Sequence, residues 1–281
     1  MATISAKSVK SLRDRTGAGM MDCKKALQEA GGDEEQAIDL LRKWGAARAA
    51  KRAERVTSEG LVHVEEQDGR YAMVAVSSET DFVARNDEFR DFAGRLARQI
   101  LASDLPDGET IAGEALLERD GLAALGDEII DLRARIGENI TVEQAVRLEP
   151  QDDSSVASYV HFGGKIGVFV ELAGGSGHDD TAREVAMHVA ATNPIGVSPD
   201  DIPSEERERE RKLLTEQATE EGKPESIAEK IVEGRMRKFY EQNALLLQPF
   251  VKDQDVTIQA LLNHVAEGLT VRRFVRFQIG D

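Results

Sequence analysis

Cysteine occurs once in the 281 residues, at Cys23. That excludes an intrachain disulfide and a zinc site built on cysteines. No run of about 18 apolar residues exists, so no membrane span is expected. The N-terminal stretch MATISAKSVKSLRDRTGAG lacks the apolar core of a secretory leader. Positive charge is short as well: 36 Lys and Arg face 52 Asp and Glu, a formal net charge of −16. A general nucleic-acid coat protein is basic, so that class is disfavoured, and no direct nucleic-acid contact is expected. Catalytic signatures are missing too. Gly164-Lys165 is followed by Ile166, so there is no phosphate loop. Gly17-Ala18-Gly19 lacks the third glycine and the preceding strand of a dinucleotide fingerprint. His63, His161, His178, His188 and His264 contain no i, i+4 pair of the kind that binds metal on a helix. No G-x-S-x-G is present. These absences argue against an enzyme, and no catalytic residue, cofactor or metal ligand is assigned. What is left is an acidic, cytoplasmic protein, long enough for one to three domains and a real core.

The charge is unevenly spread. Residues 1–55 carry 12 Lys/Arg and 8 Asp/Glu. A basic head on an acidic body points to a separate module. The head reads as three short helices. Ile4, Val9 and Leu12 mark the first, and Met20 to Ala30 the second. The third opens at Asp33 with Gln36 three residues on, a capping-box pattern, and presents Ala37, Ile38, Leu40 and Leu41. Residues 46–58 read as an Ala- and Arg-rich connector, helical or irregular, with little to bury.

The body, residues 56–281, repeats a pattern. Tyr71 to Val76 is strand-like, and a polar loop and a helix from Glu88 to Ala102 follow, with Phe89, Phe92, Leu96 and Ile100 on one face. Ile166 to Leu172 is again strand-like, then comes GGSGHDD and a helix from Thr181 to Thr192. The recurrence predicts an α+β fold. Its core has two related subdomains, 56–150 and 151–281, each with a small antiparallel sheet flanked by helices. Residues 203–243 read as a helical-hairpin insertion. Glu205 to Lys212 is entirely charged, followed by Leu213, Leu214 and Ala218. After Gly222-Lys223-Pro224 comes a stripe of Ile227, Ala228, Ile231, Val232, Met236 and Phe239. Helices of about 18 residues reach roughly 27 Å.

Three loops are odd for purely structural loops. Glu79 to Asp87 sets Phe82 and Val83 among charged neighbours directly after a strand. Two readings stand: Phe82 folds back into the core, or it is an apolar wedge for a partner with Asp81 beside it. Ile136-Gly137-Glu138-Asn139-Ile140 reads as a turn after a helix, with Gly137 as its cap. Tyr159 to Gly164 holds a lone His161 ahead of the second strand.

The chain closely resembles the bacterial translation elongation factor Ts family. Leu12 to Leu27 (LRDRTGAGMMDCKKAL), Thr80 to Asp87 (TDFVARND), Ile136 to Ile140 (IGENI), Tyr159 to Val168 (YVHFGGKIGV), Ala186 to Ala191 (AMHVAA), Lys230 to Phe239 (KIVEGRMRKF) and Gln248 to Val251 (QPFV) match in family order. The resemblance implies a guanine nucleotide exchange factor for elongation factor Tu. It also implies a ubiquitin-associated-like three-helix head, a two-part core and a coiled-coil hairpin. Thr80, Asp81, Phe82 and Val83 resemble the segment that dislocates magnesium. Met20, Met21 and Lys24, with Ile136 and Gly137, resemble contacts to the nucleotide-binding domain, and His161 and Val251 contacts elsewhere on the partner. Some members continue past FVRFQIGD (Phe274 to Asp281) into a C-terminal helical module, whose contacts are expected to be absent. Dimerisation of the complex is left open. The competing class is an adaptor or ribosome-associated binding protein that does not accelerate GDP release; an adaptor needs no wedge.

Overall fold

The computed structural model describes residues 4–119, 121–221 and 224–280. Two compact units divide the chain. One comprises Met1–Glu149, Phe162–Lys165 and Phe277–Asp281; the other, Pro150–His161 and Ile166–Arg276. The fold is α+β with small antiparallel sheets.

The first unit opens with α1 (Ala6–Thr16), α2 (Met20–Glu29) and α3 (Glu34–Arg52). Val9, Leu12, Cys23, Ala26, Leu27 and Ala37 form their shared core. Asp33 caps α3 by accepting from the Gln36 N–H at 3.0 Å. The Gln36 amide turns to the Asp33 carboxylate at 3.3 Å rather than to its backbone, so only half of the expected capping box forms. α3 runs into the connector as far as Arg52, as Ala-rich sequence permits. The expectation that this stretch has little to bury is corrected, because it buries a face. Ala49 is buried, a Cβ on Gly45 would sit 3.0 Å from Ala134, and Arg52 donates to the Arg133 carbonyl.

Next come β1 (Glu59–Gln67), β2 (Arg70–Ser78), the short α4 (Asp81–Ala84), α5 (Asp87–Ala102), β3 (Thr110–Ala112), α6 (Gly113–Leu117), α7 (Ala123–Ile136) and β4 (Ile140–Leu148). The sheet order is β1-β2-β4-β3, antiparallel throughout. β2 is central and buried almost end to end, which its unbroken apolar run requires. Asn86 caps α5 by accepting from the Glu88 N–H at 2.8 Å. The helix then lays Phe89, Phe92, Leu96 and Ile100, spaced three and four apart, into the core with Ala72, Val74 and Val76 of β2.

The second unit holds β5 (Ser154–Val160), β6 (Ile166–Ala173), α8 (Asp179–Thr192), α9 (Ser204–Glu220), α10 (Glu225–Asn243), β7 (Pro249–Phe250), β8 (Asp253–Thr257), α11 (Ile258–Val265) and most of β9 (Thr270–Gln278). Its main sheet runs β5-β6-β9. Val168, Val170 and Leu172 of β6 meet Val185 and Val189 of α8, with Ile258 and Leu262 of α11. Glu171 is fully buried on β6. It is satisfied by Arg273 at 2.7 Å, Arg272 at 3.4 Å and the Gln151 N–H at 2.9 Å. A buried carboxylate survives only with such pairing.

α9 and α10 pack on each other through Leu214, Ala218, Val232 and Met236, a cluster of their own. An Arg235–Glu221 ion pair at 2.6 Å joins them. Ile227 was expected on the stripe of α10 but is exposed, because α-helical rotation carries it away from Val232 and Met236; Leu213 is exposed as well. Gly222 and Lys223 of the expected turn lie outside the described residues.

Candidate functional site

The end of β2 aims the loop that follows it. Ser78 is buried, and its hydroxyl donates to the Thr80 carbonyl at 3.0 Å. The Glu138 carboxylate takes both donors of Thr80, the N–H at 3.0 Å and the hydroxyl at 2.7 Å. The Asn139 N–H donates to Glu79 at 2.6 Å, and the Asn139 side chain donates to the Arg55 carbonyl at 2.8 Å. Two of the three odd loops are therefore one structure, although 58 residues separate Thr80 from Glu138. Hydrogen bonds to a charged acceptor are the stronger kind, so α4 starts from a fixed point.

From that start, α4 sends neighbouring apolar side chains opposite ways. Val83 enters the core, whereas Phe82 is 80% exposed. The reading of Phe82 as a core residue does not hold, because Val83 takes that place. Asp81 forms an i, i+4 pair with Arg85 at 3.0 Å, both partly exposed. Such a pair holds by at most about 1 kcal/mol, so the carboxylate can exchange partners. Ile136 is half-buried against the core, and Gly137 closes α7 in the left-handed conformation with its N–H on the Arg133 carbonyl at 3.0 Å.

The turn after α1 reaches the same place. Gly17, Phe82, Val83, Arg135 and Ile136 line one hollow. Gly17 has φ +68°, and a Cβ there would come within 2.7 Å of Arg135 Cδ. Only glycine fits both demands. Met20, Met21 and Lys24 follow at the start of α2. All three are exposed, whereas Cys23, Ala26 and Leu27 of the same helix are buried. Arg48 grips Asp22 through two hydrogen bonds, at 2.7 and 2.9 Å, and holds its carboxyl below the usual range.

His161 and Val251 lie on different elements of the second unit. His161 is exposed just past β5, its Nδ1 2.9 Å from the Tyr159 hydroxyl. Val251 is partly exposed, and its N–H donates to Nδ1 of the fully buried His188 at 3.2 Å. Nε2 of His188 therefore carries the proton and donates to Gln248 Oε1 at 2.9 Å. Burial keeps the imidazole pKa below its ordinary value. No hydrogen bond among the described residues joins His161 to Val251.

Sequence reasoning missed two features of this geometry. Glu138 was read only as part of a turn, and nothing in its local sequence names Thr80. Phe162, 97% exposed, stood unremarked beside His161. Its signal was close to the one that singled out Phe82: an aromatic in a loop beside a strand, here next to Gly163 and Gly164.

A family model described as Elongation factor TS matches residues 79–281. The chain belongs to the Elongation factor TS family. The match begins at Glu79, the residue that holds Asn139, and spans the Thr80 loop, the Ile136–Ile140 turn and the whole second unit. Elongation factor TS proteins are nucleotide exchange factors for elongation factor Tu in translation elongation, and elongation factor Tu is the partner that membership assigns. Among the described residues no His, Cys, Asp and Glu gather as a metal site, and no helix is long and apolar enough to cross a membrane.

Proposed function

We propose that this chain binds GDP-loaded elongation factor Tu in the cytoplasm and drives GDP out by inserting Phe82 and setting Asp81 near the magnesium and phosphate region. The observation that carries this reading is the exposure of Phe82 on a helix whose first turn is anchored by Glu138. An exchange factor breaks no bond and is not an enzyme in that sense. It must bind the nucleotide-free GTPase better than the GDP-bound one, and linkage makes the weakening reciprocal. Burying Phe82 in the partner supplies roughly 1.5–3 kcal/mol for shifting an element of the GTPase. The Asp81 carboxylate, released from Arg85, disfavours the returning phosphates or disturbs the water shell of the ion.

In the same reading, residues 1–55 are a ubiquitin-associated-like head that grips the nucleotide-binding domain through Met20, Met21 and Lys24, aided by Ile136 and Gly137. Residues 56–150 and 151–281 are the two core subdomains. The second contacts the partner through His161 and Val251 and carries a coiled-coil insertion over about 203–243. The wide contact provides affinity, and the wedge applies strain.

The test is release of fluorescent GDP from purified elongation factor Tu, with and without this protein, across a magnesium titration. Acceleration is expected, with an Asp81→Ala defect that vanishes when magnesium is chelated. Binding without acceleration would point to the adaptor class. A magnesium-independent Asp81→Ala defect would remove the ion-directed part.

A further inference from the structure

Among the described residues, Phe162 is the most exposed of the large apolar side chains, at 97%. A loose loop would make that unremarkable, but this loop is built. Its residues, Phe162–Lys165, belong to the first unit. The Val62 N–H donates to the Gly164 carbonyl at 2.7 Å, and the Ile279 N–H to the Lys165 carbonyl at 2.9 Å. Lys165 pairs with Glu59 at 2.7 Å. Gly163 and Gly164 have φ of +96° and +80°, a consecutive left-handed pair that ordinary residues rarely adopt. The backbone is thus tied to two neighbouring segments at the exit of a tight turn, and the ring is held out in water. Holding an apolar ring in a fixed, solvated position lowers the ordering cost when a partner covers it.

The surroundings say what kind of partner fits. Phe162 lines a groove of about 1060 Å³ together with Leu61, His63, Asp81, Arg85 and Lys165. Most of the charges there are already paired within the chain: Asp81 with Arg85 at 3.0 Å, Lys165 with Glu59 at 2.7 Å, and Arg98 with Glu65 at 3.6 Å, while Arg90 donates to the Ala84 carbonyl at 3.4 Å. A phosphate or nucleic-acid ligand needs unpaired cations and finds few. The unsatisfied feature is the ring, which suits a folded protein surface with an apolar recess. Asp81 shares the groove and immediately precedes Phe82, so the groove is continuous with the surface assigned above to elongation factor Tu.

We infer that Phe162 is a second apolar anchor for elongation factor Tu, seated by the same encounter that seats Phe82. This rests on the exchange reading of the Thr80–Val83 loop. Phe162 adds grip: its burial contributes affinity, whereas Phe82 is spent on strain.

The experiment measures binding of full-length wild type, Phe162→Ala and Phe162→Leu to nucleotide-free elongation factor Tu by titration. Melting curves and sedimentation of each free protein accompany it, with Phe82→Ala exchange in parallel. Phe162→Ala should raise Kd roughly ten- to a hundred-fold without moving the melting temperature, and Phe162→Leu should recover most of the loss. A Kd within about twofold of wild type, with Phe82→Ala still slowing GDP release, would overturn this inference and leave the exchange reading standing. Unchanged binding together with loss of a self-associated species in Phe162→Ala would assign the ring to a second copy of the chain and overturn it as well. No complex with wild type at all would sink both readings.

Discussion

Two loops occupy the same place in the repeated strand–loop–helix pattern. Glu79 to Asn86 connects β2 to α5; Gly174 to His178 connects β6 to α8. The second loop is clamped by Ser155, whose hydroxyl donates to the Gly175 carbonyl at 2.8 Å and accepts the His178 N–H at 2.8 Å. It carries no apolar side chain. The first is clamped just as firmly, by Glu138 on Thr80, yet it adds a helical turn that puts Phe82 into water. Local anchoring is therefore common to both and serves the fold. The exposed ring is what distinguishes them, and the proposed exchange role rests on that one difference between two similarly anchored loops.

The largest loss of stability should come from Phe89→Ala, which empties a fully buried site on α5. About 3–5 kcal/mol is expected in urea or thermal unfolding. Phe82→Ala, on the loop just before the same helix, should barely move either. Equal losses would erase the contrast between the two rings.

A matched pair of clamps gives a smaller effect and a sharper comparison. Glu138→Ala and Ser155→Ala should each cost about 1–3 kcal/mol, because each strands donors or acceptors at a loop base. Only Glu138→Ala should also slow GDP release from elongation factor Tu, with Glu138→Gln intermediate because one acceptor remains. Slowed release in the folded Ser155→Ala protein would mean that clamping matters for exchange in general.

The smallest effect should be a pH slope in the second unit. Burial depresses the pKa of His188, so the unfolded chain takes up its proton more readily than the folded one. The neutral imidazole's contribution is fully present above its ordinary value of 6.5 and is lost as pH falls through that value toward the lowered folded one. Melting temperature followed downward from about pH 7.5 should fall, and the slope should be shallower in His188→Gln. An identical slope in both proteins would assign it to other groups.

Strong periodicity made much of this architecture legible. The apolar run Tyr71 to Val76 and the three–four spacing of Phe89, Phe92, Leu96 and Ile100 announce β2 and α5 directly. The charged run at Glu205 and the Pro224 boundary place α9 and α10 to within a residue or two. β1 was not legible, because it is an edge strand and carries His63, Glu65 and Glu66 on both of its faces. The burial of the last turns of α3 was not legible, because only small residues, Ala49 and Gly45, make the contact. At the site, the residue types were readable but their junction was not. The Thr80–Glu138 clamp is set by tertiary structure, and spacing along the chain carries no trace of it.

The central claim is that Phe82 serves exchange and not the core. The most direct measurement is fluorescent GDP release from elongation factor Tu driven by Phe82→Ala, with melting curves on the same preparation. Release should slow roughly ten- to a hundred-fold, the rate equivalent of the lost burial, while the melting temperature stays at the wild-type value. A Phe82→Ala protein that melts far lower, yet exchanges at the wild-type rate while folded, would contradict the account.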